Sequence, residues 1–150
     1  MKIIIQRVTE AQVTVDQKVV GQIGSGFLIL LGIGTDDSEA DADWLVQKTA
    51  GLRIFNDANG VMNRSLIDVQ GAALVISQFT LLAATKKGNR PSYIQAAHPD
   101  QAVPLYTYFV KRLEMVLDRK IETGIFGADM KVHLVNDGPV TIPIDSKNRV

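Results

Sequence analysis

Runs of aliphatic and β-branched residues dominate the first third of the chain. KIIIQRV, AQVTV, KVVGQI and GFLILLGI follow one another with turn-prone residues between them and no helical period, which predicts a succession of strands. The pattern then changes. In TDDSEADADWLVQKTAGL the positions Ala42, Leu45, Val46, Thr49 and Ala50 recur at helical spacing, Ser38 stands where an N-cap belongs, and Asp41 follows three residues later. LRIF before NDANG predicts a strand running into a turn, and AALVISQFTLL predicts a second buried strand. A longer helix is expected from about Asp100 to Arg119, where Leu105, Phe109, Leu113, Val116 and Leu117 recur on one face and Pro104 lies near the first turn. IETGIF, MKVHLVN and VTIPI read as short closing strands. Strand-rich ends around two main helices predict a mixed α/β domain whose sheets bury their apolar faces against helices.

Two stretches depart from that regular pattern. In VNDGPVTI the Gly138-Pro139 dipeptide falls between strand fragments, where proline gives the ladder no donor and glycine no side chain to pack. A simple turn accounts for it. A cis X-Pro bond costs only about 0.5–1 kcal/mol, and in that form the neighbouring carbonyls could face outward as a rigid acceptor pair, suited to a donor-rich guest such as an ammonium. The second stretch is SQFTL. In an extended strand Gln78 and Thr80 share one face and Ser77 and Phe79 the other, so polar groups occupy both faces of a run that begins as core. Such a segment is either a strand end held by hydrogen bonds or the wall of a site.

Composition narrows the chemistry. The 150 residues suit one domain with its own core, and 46% apolar with 21% charged residues is ordinary for a globular protein. The absence of cysteine removes thiolate catalysis and Cys-based zinc sites. MKIII lacks the apolar length of a signal peptide and GFLILLGIG is too short to cross a bilayer, so a cytoplasmic protein without a membrane partner is expected. Sixteen basic and sixteen acidic residues balance, so a nucleic-acid contact would need a local patch. TKKGNRPS, with Lys86, Lys87 and Arg90, is the candidate; by itself it reads as a solvated loop. The acidic residues from Asp36 to Asp43 lack a calcium-loop pattern and suit a helix start. His98 and His133 have no partner at metal-ligand spacing, and no glycine run forms a phosphate loop.

In order and spacing, QRVT, LRIF with NDANGVMNRSL, SQFTL, KGNRPS, ETGIFGADM and NDGPVT resemble the D-aminoacyl-tRNA deacylases over nearly the whole chain. SQFTL and NDGPVT are that family's signature pair. The resemblance implies a single domain of three layers, β/β/α, acting as a cytoplasmic homodimer. It implies an ester hydrolase for D-aminoacyl-tRNA that needs no cofactor, metal or DNA. It further implies a cis Gly-Pro unit that enters the partner subunit's site. Gly138 and Pro139 would then face the partner subunit's Ser77, Gln78, Phe79 and Thr80, with Arg7 helping to hold the cross-subunit element. Phe126 and Met130 match positions expected to line a pocket for the terminal adenine. Lys86, Lys87 and Arg90 become contacts to acceptor-stem phosphates.

If the Gly138 and Pro139 carbonyls hold the substrate's ammonium, a D side chain leaves toward solvent while an L side chain meets the backbone. Glycyl-tRNA has nothing to collide and is expected to be cleaved too. A backbone N–H around Phe79 or Thr80 would stabilise the oxyanion, with Ser77 and Gln78 orienting the ester. Thr80 as nucleophile and water assisted by the ribose 2′-hydroxyl both stay open; the lack of a recognisable base beside Thr80 favours water. Two other readings compete: a non-catalytic dimeric RNA-binding module, and a hydrolase of small D-amino acid esters.

Overall fold

The computed structural model describes residues 1–150. Its strands are β1 (Lys2–Val15), β2 (Lys18–Ile23), β3 (Gly26–Gly32), β4 (Phe55–Asn56), β5 (Met62–Arg64), β6 (Ala72–Ser77), β7 (Glu122–Thr123) and β8 (Lys131–Asp145). The helices are α1 (Glu39–Gly51) and α2 (Pro99–Leu117), and a 3₁₀ turn covers Phe79–Leu82. No helix is long and apolar enough to cross a membrane.

KIIIQRV and AQVTV, expected as separate strands, are one strand. The exposed Thr9 and Glu10 look like a break in the sequence, but they mark a change of partner. Lys2–Val8 pairs with β3 and Ala11–Val15 with β2, both antiparallel, while β8 runs antiparallel along most of β1 on its other edge. The sheet continues from β3 through parallel β6 to β7.

This sheet curls until it almost meets itself. Gly21 of β2 lies so near β6 and β7 that a Cβ there would stand 2.6 Å from the Thr123 carbonyl oxygen and 3.1 Å from Leu74 Cδ1. Inside the curl, Val8, Ala11, Val13, Ile23, Leu28, Leu74 and Ile76 form one core. Outside it, Ile3, Ile5, Phe27, Ile29, Leu31, Ala73 and Val75 face Leu45, Val46, Tyr106, Phe109 and Leu113 of the helices. Two cores separate three layers, β/β/α. They also explain why GFLILLG and AALVI are unbroken apolar runs: both faces of β3 and β6 are buried.

Helix α1 starts as its sequence predicts, with the Ser38 amide donating to Asp41 Oδ2 at 2.9 Å, and buries the expected Ala42, Leu45, Val46, Thr49 and Ala50. Helix α2 differs. Its first-turn proline is Pro99, and Pro104 lies inside the helix, where it offers no amide to the Asp100 carbonyl. Its buried face is Ala102, Tyr106, Phe109 and Leu113, with Leu105, Val116 and Leu117 only half-buried.

The end of the chain also differs from expectation. IETGIF contributes only Glu122–Thr123 as strand, while MKVHLVN and VTIPI belong to the single strand β8. Asn136 pairs with Val8 and Thr141 with Gln6, so Asp137, Gly138, Pro139 and Val140 stand opposite Arg7 alone. The Gly-Pro dipeptide is thus the tip of a bulge thrown out from a continuous ladder.

Candidate active site

Strand β6 ends at Ser77 because its neighbour β3 ends at Gly32. The Gln78 amide makes one more bond to the Leu31 carbonyl, 2.8 Å, and the chain then turns into the 3₁₀ segment. SQFTL is therefore not extended, and the expected alternation of faces does not hold. Gln78 and Thr80 meet by a different route, with Gln78 Nε2 donating to Thr80 Oγ1. The turn rests on Gly32, where a Cβ would come within 2.7 Å of Leu82 Cδ2 and 2.9 Å of the Gln78 carbonyl oxygen. None of the turn and loop hydrogen bonds engages the N–H groups of Phe79 or Thr80, the unpaired donors expected at the start of a helical turn.

These residues border a cavity of about 320 Å³. Ser77 and Gln78 give it polar edges beside Phe79, and Leu31, Ile33, Ile76, Phe126, Met130 and Val132 are among its apolar lining. A mostly apolar cleft with a few converging polar groups is the usual form of a small-molecule or base-binding site. The Phe126 ring lies edge-on to Tyr106 with centroids 5.8 Å apart. Tyr106 is itself fixed by a 2.7 Å bond from its hydroxyl to the Val75 carbonyl, and burial pushes its phenol well above the ordinary tyrosine value. Gly124 leaves room for the Met130 sulfur, which any side chain there would strike. Five of the predicted site residues, Ser77, Gln78, Phe79, Phe126 and Met130, thus line one cavity, with Thr80 joined to it through Gln78.

The cationic residues lie outside it. Lys86, Lys87 and Arg90 are exposed on a loop closed at its base by the Ala84–Ser92 bridge, and none forms an ion pair. The loop reaches the cavity rim through Tyr93, whose ring meets Phe79 edge-on at 5.0 Å. His98 is exposed at the start of α2 and His133 on β8; neither lines the cavity.

Gly138 and Pro139 are exposed, joined by a cis peptide bond, and absent from the walls of the cavity in their own chain. Arg7 holds this bulge from beneath. Its guanidinium is buried, with Nε donating to the Asp137 carbonyl at 3.0 Å and Nη1 to the Ile54 carbonyl at 2.5 Å, while the Asp137 carboxylate lies 3.4 Å from Nε. Gly138 has φ +138°, and a Cβ there would stand 2.8 Å from Val140 Cγ2 and 3.2 Å from Arg7 Nη2. Only glycine fits that position comfortably.

Sequence reasoning missed two residues here. Asp129 lines the cavity mouth, its carboxylate paired in solvent with Lys131 at 2.9 Å; nothing in GADMK marks it. Asn136 bonds across the base of the bulge, and an asparagine just before a turn was the available signal.

The curled sheet and the helical layer define a small α/β domain with a largely apolar cavity at the end of β6. The D-Tyr-tRNA(Tyr) deacylase family matches residues 4–145, and the chain belongs to that family. It is 59% identical to a D-aminoacyl-tRNA deacylase of Flavobacterium psychrophilum and 56% identical to one of Phocaeicola vulgatus, over 99% of both chains in each case. Among solved structures it is similar to one described as a c-Myc DNA unwinding element binding protein, with TM-score 0.91, 40% identity and 97% and 98% of the two chains covered. A probable eukaryotic D-amino acid tRNA deacylase shares the fold, with TM-score 0.81, 16% identity and coverage of 95% and 97%.

Proposed function

We propose that this protein is a D-aminoacyl-tRNA deacylase: an ester hydrolase that frees tRNA from D-amino acids in the cytoplasm and works as a homodimer. One observation carries the dimeric part of this reading. The cavity contains the polar rim and the apolar wall, while the exposed Gly138-Pro139 bulge stands apart from it on the same chain. A second copy could bring the bulge to the cavity.

In the assembled site the terminal adenine lies against Phe126 and Met130, and Ser77 and Gln78 orient the ester. The free N–H groups of Phe79 and Thr80 receive the developing oxyanion, a contact that gains strength only as charge builds in the transition state. The partner's Gly-Pro carbonyls accept from the substrate ammonium. Two substituents of the α-carbon are then pinned, the D side chain points to solvent, and an L side chain meets backbone that cannot move aside. Glycyl-tRNA escapes this collision and is also cleaved. Lys86, Lys87 and Arg90 attract acceptor-stem phosphates, a local cationic loop on a chain with no net charge.

Water is the favoured nucleophile. Thr80 Oγ1 accepts from the Gln78 amide, which cannot take up a proton, and neither histidine lines the cavity. The ribose 2′-hydroxyl can assist the attack. Thr80→Ala should therefore slow turnover without abolishing it, whereas a substrate ending in 2′-deoxyadenosine should react far more slowly.

The reading is tested with D-tyrosyl-tRNA, L-tyrosyl-tRNA and D-tyrosine methyl ester, each incubated with purified protein. Release from the first alone is expected. No release from any would support an RNA-binding module, and equal release from the methyl ester would support a simple esterase.

A further inference from the structure

We propose that Asn136 is a positioning residue that fixes the reach of the Gly138-Pro139 bulge and so governs how strictly the site excludes L-aminoacyl esters. This rests on the deacylase reading above. Asp137–Val140 bulge from the ladder with Arg7 as the sole facing residue of β1, so the regular cross-strand pairing of β8 is interrupted there, and Pro139 has no amide to donate. Asn136 supplies what is missing. Its Oδ1 accepts from the Val140 amide at 2.8 Å, and its Nδ2 donates to Thr141 Oγ1 at 2.9 Å. Gln6 Nε2 reaches the same Thr141 oxygen at 3.4 Å and ties the group to β1.

The arrangement is a crossbar over the base of the bulge. Arg7 grips the N-terminal side at Asp137, and Asn136 grips the C-terminal side at Val140. With both in place the two carbonyls at the tip are held from each flank, and selectivity by collision requires such rigidity. An asparagine suits the task because one short planar group carries both an acceptor and a donor. Asn136 is only half-buried and belongs to neither core, so its loss should disturb the bulge far more than the fold.

The test compares wild type with Asn136→Ala, Asn136→Asp and Thr141→Val in kcat/KM for D- and L-tyrosyl-tRNA, in thermal unfolding, and in amide hydrogen exchange. Asn136→Ala is expected to lower the D-over-L ratio by about tenfold or more while the fold survives. Asn136→Asp keeps the acceptor for Val140 and can accept from the Thr141 hydroxyl, so it should recover most of the ratio; Thr141→Val should fall between. The Val140 amide should exchange about tenfold faster in Asn136→Ala and near the wild-type rate in Asn136→Asp. An unchanged ratio in Asn136→Ala overturns the proposal, as does a fall that Asn136→Asp fails to rescue. If wild type cleaves neither tRNA, the deacylase reading fails; unaltered Val140 exchange in Asn136→Ala would separately refute the crossbar.

Discussion

Replacing Arg7 with lysine separates the fold from the bulge that it supports. The guanidinium divides its donors between two elements, Nε to the Asp137 carbonyl and Nη1 to the Ile54 carbonyl, so it joins the bulge to the segment before β4. An ammonium is a single point and can reach only one of them. Each bond from a charged donor contributes about 1.5–3 kcal/mol. The Asp137 side chain is 51% exposed, so water can replace part of what is lost on that side, and the lower half of the range applies there. Arg7→Lys should therefore cost about 1.5–2 kcal/mol, and Arg7→Ala, which abandons both carbonyls, about 3–4 kcal/mol. For a domain of this size the lysine variant should melt about 3–8 °C lower. Thermal unfolding gives the stability change, and single-turnover deacylation of D-tyrosyl-tRNA gives the functional one. A folded Arg7→Lys protein with at least about a tenfold lower kcat/KM is expected, since the bulge loses its inner anchor. Wild-type turnover in this variant would refute the idea that the guanidinium positions Gly138 and Pro139.

Three other outcomes follow from the same geometry. Gly32→Ala drives a methyl group against Leu82 and the Gln78 carbonyl, so it should cost about 1–3 kcal/mol by overpacking and, in kinetic assays, lower kcat through displacement of the Phe79 turn. Neutralising Lys86, Lys87 and Arg90 together with glutamine should leave melting unchanged and reduce the slope of log KM against log salt by about 2–3, with little effect on the D-over-L ratio. Burial opposes ionisation of Asp41, but hydrogen bonds from the Ser146 hydroxyl, the Ser38 amide and Lys147 prevail and hold its carboxyl well below the ordinary range. Its charged form thus adds stability that is complete above the unfolded value of about pH 4 and drains away as the pH falls below that. The deficit of Asp41→Asn in urea denaturation should accordingly be constant from neutrality to mildly acid solution and shrink below it.

What could be read from residues alone follows the range of the forces involved. Helix α1 was legible because Ser38, Asp41 and the apolar spacing act within a few residues of one another. The burial of β3 was legible because a strand covered on both faces must be apolar throughout. Elements defined by distant partners leave no local signature. Nothing near Thr9 and Glu10 reveals that β1 passes from β3 to β2 there, and nothing in SQFTL reveals that β3 stops at Gly32 and leaves Gln78 with nowhere to extend. Pro104 fell inside α2 because Pro99, also a proline, took the first-turn position. The cavity was only partly visible. Polar residues on both faces of SQFTL hinted at a wall, but periodicity could not bring Phe126 and Met130 opposite it from a segment with almost no regular structure. Family resemblance, not pattern, pointed to those two.

Whether the bulge of one copy completes the cavity of another is tested by mixing two inactive variants. Gly138→Ala spoils the bulge and leaves the cavity; Gln78→Ala spoils the cavity rim and leaves the bulge. Co-expressed with different tags and purified through both, the mixed dimers pair one intact cavity with one intact bulge. Across a two-fold interface these mixed dimers should recover about half of wild-type activity toward D-tyrosyl-tRNA, from one working site in two. Mixed dimers as inactive as either parent would mean that bulge and cavity do not work between copies.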